Sequence, residues 1–371
     1  LLKLKIIMNI CIIGDGLTSL SLAKNLINKK INVQLYHKNK IKNLFSSRTI
    51  GISKKNIEFF TKEIQDISKK ILWEIKKIEI YSEKLEKENL INFENDKDSL
   101  FCMVKNDDLY KLLISKVSKN KFFKKNIIKK KSFYADIVKK NKYDLIINCE
   151  ANNSLSRKYF TKKIDKDYFN LAYTTILEHR AIENNTATQI FTKNGPIAFL
   201  PISKNRTSIV FSLDTQYRKY SDSEVLELIN KNNPKYKIQK THKLNSFKLS
   251  SSNLRSYHHK NILAFGDLLH RIHPLAGQGF NMNIRDIKVL SEIIQNKIDL
   301  GMHLDELILN EFEKKTKAKN FIFSNSIDFI YEIFKLDKKN KSKSLSKILK
   351  IIGENKRLTD YFIKIADQGI N

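Results

Sequence analysis

Apolar residues run unbroken through Ile10-Cys11-Ile12-Ile13 and stop at Gly14-Asp15-Gly16. From Leu17 to about Lys30 they return at helical spacing, as Leu20, Ala23, Leu26 and Ile27, and Ile31 to Tyr36 reads as a second strand. The pattern is a βαβ unit with Met8 as its expected start. Residues 1–7 (LLKLKII) add nothing to it and lack the length and small-residue cleavage site of a signal peptide. A helix is expected over 53–75, and strands over 77–82, 90–95, 170–179, 187–201 and 206–214. Ser221-Asp222-Ser223-Glu224 ahead of Val225-Leu226 has the form of a capping box. Ile262 to Phe265 reads as a strand leading into Gly266-Asp267, and a long helix follows from about Gly279 to Lys297. Beyond residue 300 the pattern is helical, amphipathic and Lys-rich, broken by the solvated stretch Lys338 to Lys343.

Composition narrows the class. With 371 residues, 41% of them hydrophobic, the chain has material for a sizeable core and for more than one domain. No apolar run approaches the roughly 18–20 residues of a membrane span. Cys11, Cys102 and Cys149 are far apart without a C-x-x-C, which argues against a disulfide framework or zinc ribbon and fits a reducing cytosol. His258-His259 lies in a polar turn without nearby Cys or carboxylates, and no metal role is assigned to it. The formal charge of +30 raises nucleic-acid binding as a function. Yet 60 of the 69 basic residues are Lys, spread along a chain also crowded with Ile and Asn. Those three residue types share AT-rich codons, so composition bias accounts for most of the excess. An anionic membrane surface is the better polyanion for the remainder, and no nucleic-acid partner is expected.

Two glycine clusters carry chemistry. In Gly14-x-Gly16-x-x-Ser19, with Ala23 following, the first Gly serves a tight strand-to-helix turn and the second lets backbone approach a pyrophosphate. A small third residue allows close helix–strand packing, and amides at the helix start face the phosphates. Alone, the pattern also fits a structural turn. The acidic residue that normally follows about 20 positions on is absent: no Asp or Glu occurs between Asp15 and Glu58. The second strand ends instead in His37-Lys38-Asn39-Lys40. Either His37 or Asn39 bonds the ribose, or the basic residues hold a 2′-phosphate. The second cluster, Gly266-Asp267-Leu268-Leu269-His270-Arg271-Ile272-His273-Pro274-Leu275-Ala276-Gly277-Gln278-Gly279-Phe280-Asn281 and on to Asp286, follows a strand and opens a helix. Asp267 at a strand end suits a polyol. Gly277 and Gly279 let backbone lie against a planar ring, where helix amides stabilise negative charge.

This segment resembles the G-D-x-x-H-x-x-H-P-x-x-G-Q-G-x-N signature of group A flavin monooxygenases with the para-hydroxybenzoate hydroxylase-like fold, and more narrowly of the ubiquinone-biosynthesis hydroxylases. Ser47-Arg48-Thr49-Ile50-Gly51-Ile52-Ser53, Val104-Lys105-Asn106-Asp107-Asp108-Leu109 and Gly195-Pro196-Ile197-Ala198-Phe199-Leu200-Pro201 are similar to three further family segments. The resemblance implies an α/β fold: a discontinuous Rossmann-like FAD-binding domain (8–75, 100–165, 255–300), a mixed-sheet substrate domain (76–99, 166–254) and a C-terminal helical region (301–371). It implies FAD held by Gly14, Asp15, Gly16, Leu17, Thr18, Ser19, His37, Arg48, Asn106, Glu150, Gly266, Asp267, Gly277, Gln278, Gly279, Phe280 and Asn281. Asp267 would hold the ribityl chain, and Gly279, Phe280 and Asn281 would meet the isoalloxazine. Pro274 would lie near the reactive face, with His270 and His273 as candidate proton relays; simple loop capping is the alternative for both histidines.

The implied reaction is hydroxylation of a polyprenylated phenol in ubiquinone biosynthesis, using NAD(P)H as transient co-substrate and O2, through a C4a-hydroperoxyflavin. The chain is then expected in the cytoplasm, peripheral on the inner face of the membrane, beside other enzymes of the pathway. It departs from the family at His37, at Asn148-Cys149-Glu150-Ala151 (although Ser154 and Arg157 match), at Leu268-Leu269 and at Asn283. Three rivals are an FAD-dependent reductase of an isoprenoid or other small molecule, an NADP-dependent Rossmann enzyme without flavin, and a basic nucleic-acid-binding protein. Phe191, Phe199 and Phe211 alternate within strands and are expected in the core.

Overall fold

The computed structural model describes residues 8–38, 48–83, 89–94, 98–130, 132–216, 218–274, 277–339 and 353–369. Residues 1–7, Asn39, Lys40, Ser47, Leu275, Ala276 and most of 338–343, all named above, lie outside them.

The first sheet has the order β16-β17-β9-β1-β2-β8, from β16 (His258–His259), β17 (Ile262–Ala264), β9 (Leu145–Asn148), β1 (Asn9–Ile13), β2 (Asn32–His37) and β8 (Phe123–Ile127). All pair in parallel except the edge strand β16. Helix α1 (Leu17–Asn28) joins β1 to β2 and packs against α3 (Asn106–Val117) and α7 (Gly279–Asp299). Ile10, Cys11, Ile12 and Ile13 are fully buried, which is why β1 is a continuous apolar run rather than an alternating one.

The second sheet is mixed, ordered β18-β15-β10-β13-β12-β11-β5-β6, with β14 on β10. Its strands are β5 (Lys77–Ser82), β6 (Asn89–Glu94), β10 (Lys163–His179), β11 (Thr186–Thr192), β12 (Gly195–Ser203), β13 (Arg206–Asp214), β14 (Ile238–Thr241), β15 (Asn245–Leu254) and β18 (His270–Arg271). Phe199 and Phe211 are buried at its centre, and Phe191 is half-buried. The stretch 187–201 divides into a hairpin at Lys193-Asn194, where Gly195 takes φ 137°. Helix α6 (Asp222–Lys231) covers this sheet, and its Ser221/Glu224 capping box is formed. A small sheet, β3 (Thr49–Ser53), β7 (Phe101–Lys105) and β4 (Trp73–Ile75), bridges the two larger ones.

The helix expected over 53–75 is shorter. It comprises α2 (Lys54–Phe59) and a wide turn over Phe60–Ile64, and the chain then leaves the helix. Trp73 and Ile75 pair with β7, and the Trp73 indole donates to Asn184 O (2.6 Å), so tertiary pairing overrides the local pattern. Helices α4 (Phe133–Lys139) and α5 (Ser154–Tyr159) flank β9. Helix α8 (Glu306–Lys339) runs along α7, and α9 (Lys356–Gln368) docks on α2 and β3. His258-His259 proves to be strand rather than turn, with His258 within 4.0 Å of Glu306 and Glu313.

Candidate active site

The two glycine loops meet at Thr18. A Cβ on Gly266 (φ 64°) would lie 3.2 Å from Thr18 Cγ2, so only glycine allows the second loop to approach α1 this closely. Asn283, one of the departures from the family pattern, donates to Thr18 Oγ1 (2.9 Å) and ties α7 to the same spot. Gly14 (φ 114°) has Ser19, Cys149 and Glu150 within 3.2–3.4 Å of a Cβ, so its turn closes β1 against the end of β9.

Gly16 and Gly279 differ. Neither has a positive φ, and nothing lies within 4 Å of a Cβ at either. Packing within the described residues therefore does not require glycine there, and the backbone at both positions is open to a group lying against it. Around the same surface Asn106 Oδ1 and Gln278 Oε1 are buried without a hydrogen-bond partner among the described residues, an expensive state unless a ligand supplies one. The residues fit a phosphate-bearing, ring-carrying cofactor.

Arg48 connects this surface to the large sheet. Its guanidinium lies over the Phe247 ring (4.5 Å), and the Asn106 amide donates to its carbonyl (3.1 Å). Burial pushes the guanidinium below its ordinary value, while the nearby Asp267 carboxylate, itself exposed, pulls it back up. At the other end, Asp15 Oδ2 is 3.3 Å from both His37 Nδ1 and Lys125 Nζ. In place of an acid, the end of β2 presents a histidine to the carboxylate of the glycine loop. The departures at 148–151 also have a local cause. Asn148 and Asn153 hydrogen-bond each other (2.8 Å), both engage Ser156, and Asn153 caps α5, so the β9–α5 turn is built by side-chain amides.

Several expected contacts take another form. Phe280 is packed in the core. The Asn281 side chain is occupied: its Oδ1 accepts from Ser53 N and Asn56 Nδ2 and its Nδ2 donates to Gly51 O, all at 2.9 Å. Asn281 fastens β3 and α2 to α7, which leaves backbone rather than side chain at these positions for a cofactor. Leu17 packs against the core, and Ser19 is buried beside Gly14. Leu268 and Leu269, another departure from the pattern, are buried and fill space in the core.

His270 Nε2 is 2.5 Å from Asp286 Oδ2 in the interior, and Asn320 donates to Asp286 Oδ1 (3.0 Å). His273 is stacked on Tyr331 (4.5 Å) and meets Tyr168 edge-on (4.7 Å), with its basicity lowered to about 3 by burial and, secondarily, by Lys166. Pro274 is half-buried after it, and its carbonyl accepts from Gly277 N (3.0 Å). Ile272 and His273 thus follow β18 of the mixed sheet, and Gln278 precedes α7 of the parallel-sheet layer. Neither the Asp286–Asn320 pairing nor the Thr18–Asn283 contact was assigned from sequence. The presence of His270 and Asp286 at the two ends of one motif is the sequence signal for their own contact, and nothing in the motif points to Asn320. Among the described residues there is no metal-binding group of three His, Cys, Asp or Glu.

The FAD binding domain family matches residues 144–299. The ubiquinone biosynthesis monooxygenase COQ6 of Dictyostelium discoideum is 23% identical over 88% of this chain and 84% of its own. The 3-demethoxyubiquinol 3-hydroxylase of Escherichia coli is 30% identical over 39% of each chain. Among solved structures, the p-nitrophenol 4-monooxygenase PnpA of Pseudomonas putida superposes with a TM-score of 0.78 at 12% identity, over 98% of this chain and 99% of that one, which establishes the shared fold.

Proposed function

Because the chain belongs to the FAD-dependent monooxygenases, we propose that it hydroxylates the aromatic ring of a polyprenyl phenol in ubiquinone biosynthesis. The phenol and O2 are consumed with NAD(P)H and a proton; one oxygen atom enters the ring and the other leaves as water. The observation that carries this reading is the joining of the two glycine loops at Thr18, beside the mixed sheet, with open space over Gly16 and Gly279. The relatives' printed activities supply the substrate class.

FAD supplies the redox chemistry and oxygen activation when bound. Gly14 and Gly16 direct the start of α1 at the pyrophosphate, with Leu17, Thr18 and Ser19 forming the first turn behind them. The Asp15 carboxylate is paired with Lys125 and in contact with His37, which offsets the repulsion it would otherwise present to phosphate, and Glu150 borders the same turn. Asp267 would accept from the ribityl hydroxyls, Arg48 and Asn106 would lie along the cofactor, and Gly266 sets the turn. Gly277, Gln278 and Gly279 present amides at the start of α7 that stabilise negative charge on the ring system. Phe280 and Asn281 act from behind by holding that helix end in place. His270 is a positioning residue through Asp286. His273 is neutral at ordinary pH and, with Pro274, shapes the substrate side rather than donating a proton from an imidazolium.

The polyprenyl tail is insoluble, so the enzyme works at a membrane surface, near other enzymes of the pathway. No described helix is long and apolar enough to span a bilayer. Incubation of the FAD-loaded protein with NAD(P)H, a short-chain prenylphenol and ¹⁸O2 tests the reading. One ¹⁸O atom in the product is expected. NAD(P)H consumption without labelled product would overturn it in favour of a reductase.

A further inference from the structure

The inward side of α8 is fastened to the rest of the protein by polar contacts. Asn320 donates to Asp286, Asn253 donates to Ser324 (2.9 Å), the Tyr168 hydroxyl bonds Asp328, and Lys166 pairs with Glu332. Its outward side has a different character. Leu307 is 60% exposed, Ile322 51% and Phe329 66%, and Ala318 is exposed between them. At 100° per residue these four positions fall within about 60° of one another, one stripe along a helix of about 50 Å. Between residues 318 and 333 the acids are Asp328 and Glu332 alone, both engaged by partners on β10. Exposed Lys314, Lys315 and Lys319 border the stripe. Beside it, a cleft of about 300 Å³ is lined by Ile164, Leu254, Tyr257 and Phe321 together with Asn253, Arg255 and Lys317.

We propose that the outward face of α8 docks on an anionic lipid surface, lying in its plane with Ile322 and Phe329 at the headgroup–acyl boundary. The one carboxylate within the arc of the stripe between residues 307 and 329, Glu311, is paired with Lys315 (2.7 Å), and exposed apolar side chains edged by lysine are the chemistry such a boundary recognises. The formal charge of +30 complements anionic lipid and opposes the alternative occupant, since a second copy would bring lysine against lysine across the same stripe. The helix is not apolar enough to cross the bilayer. This deepens the proposed function by assigning the face that meets the membrane, and it rests on that reading for the reason a membrane is needed. Vesicle binding requires neither substrate nor turnover, so the two ideas fail separately.

The test is sedimentation of the FAD-loaded full chain with phosphatidylcholine vesicles, with and without 30% phosphatidylglycerol. The wild type is expected to bind the anionic vesicles. The double variant Ile322→Glu/Phe329→Glu should bind them at least about tenfold more weakly. The equally charge-shifted control Lys119→Gln/Lys140→Gln, at exposed positions on the parallel-sheet side, should bind within about twofold of wild type. Retained flavin and circular dichroism report folding, and Ile322→Ser/Phe329→Ser serves as a second variant without added charge. Wild-type binding by both stripe variants, equal losses in stripe and control variants, or no binding by the wild type would each overturn the proposal. So would a wild-type dimer in light scattering that the stripe variants dissociate, because the face would then belong to a second copy.

Discussion

Replacing Gly16 by Ala separates a structural glycine from one reserved for a ligand. Gly16 caps α1 with φ −72° and ψ 175°, extended backbone open to any residue, and its Cβ would meet nothing within 4 Å. Alanine is a poorer N-cap than glycine by up to about 1 kcal/mol. The lost freedom of the unfolded chain returns about 0.4–1 kcal/mol, so stability without cofactor should barely change. The methyl would, however, occupy the space through which a pyrophosphate reaches the helix amides. A hydrogen bond to a charged group is worth about 1.5–3 kcal/mol, which predicts FAD affinity about 10–150-fold weaker. Gly14→Ala is the contrasting case: φ 114° and three neighbours within 3.4 Å predict a loss of stability even in the apoprotein. Flavin fluorescence titration of the apoprotein, paired with thermal unfolding, reads both. A Gly16→Ala protein that binds FAD within twofold of wild type would refute the cradle.

Two further outcomes follow from the buried groups. Asp286→Ala strips His270 and Asn320 of their shared acceptor in a site about 2% exposed, and should cost about 3–5 kcal/mol in urea unfolding, against less than 1 if the pair is incidental. His273 is held neutral down to about pH 3, whereas the unfolded chain protonates it near 6.5. Its stabilising contribution is therefore complete above pH 6.5 and falls by about 1.4 kcal/mol per pH unit toward pH 3. His273→Phe should shrink the stability drop between pH 7 and 5.5 by about 1 kcal/mol, and equal drops in both proteins would contradict the assignment.

What could be read in the sequence was what obeys a local rule. The βαβ start, the Ser221 capping box and the helix opening at Gly279 each follow from neighbours in the chain. The 53–75 segment misled because Trp73 and Ile75 answer to partners on β7, about 30 positions away. His37 looked like a ribose contact or a phosphate anchor; its contact with Asp15 depends on where two strand ends converge. Asn283 and Leu268-Leu269 read as losses from a pattern, yet each fills space or makes a bond that this chain's own packing defines. Asn281 shows the converse. Its place in a motif suggested a ligand contact, whereas the structure spends its three hydrogen bonds on the protein.

The bond between Thr18 and Asn283 spans 265 positions. During synthesis at about 5–20 residues per second, the first glycine loop leaves the ribosome roughly 13–53 seconds before the helix that completes its surroundings. For about the first half of that interval β1 has no β9 to pair with, and for all of it α1 lacks α7. Cofactor loading is thus a late event in the life of each molecule. A nascent or truncated chain ending before α7 has β1 paired on both sides yet lacks the helix that completes the surroundings of Thr18.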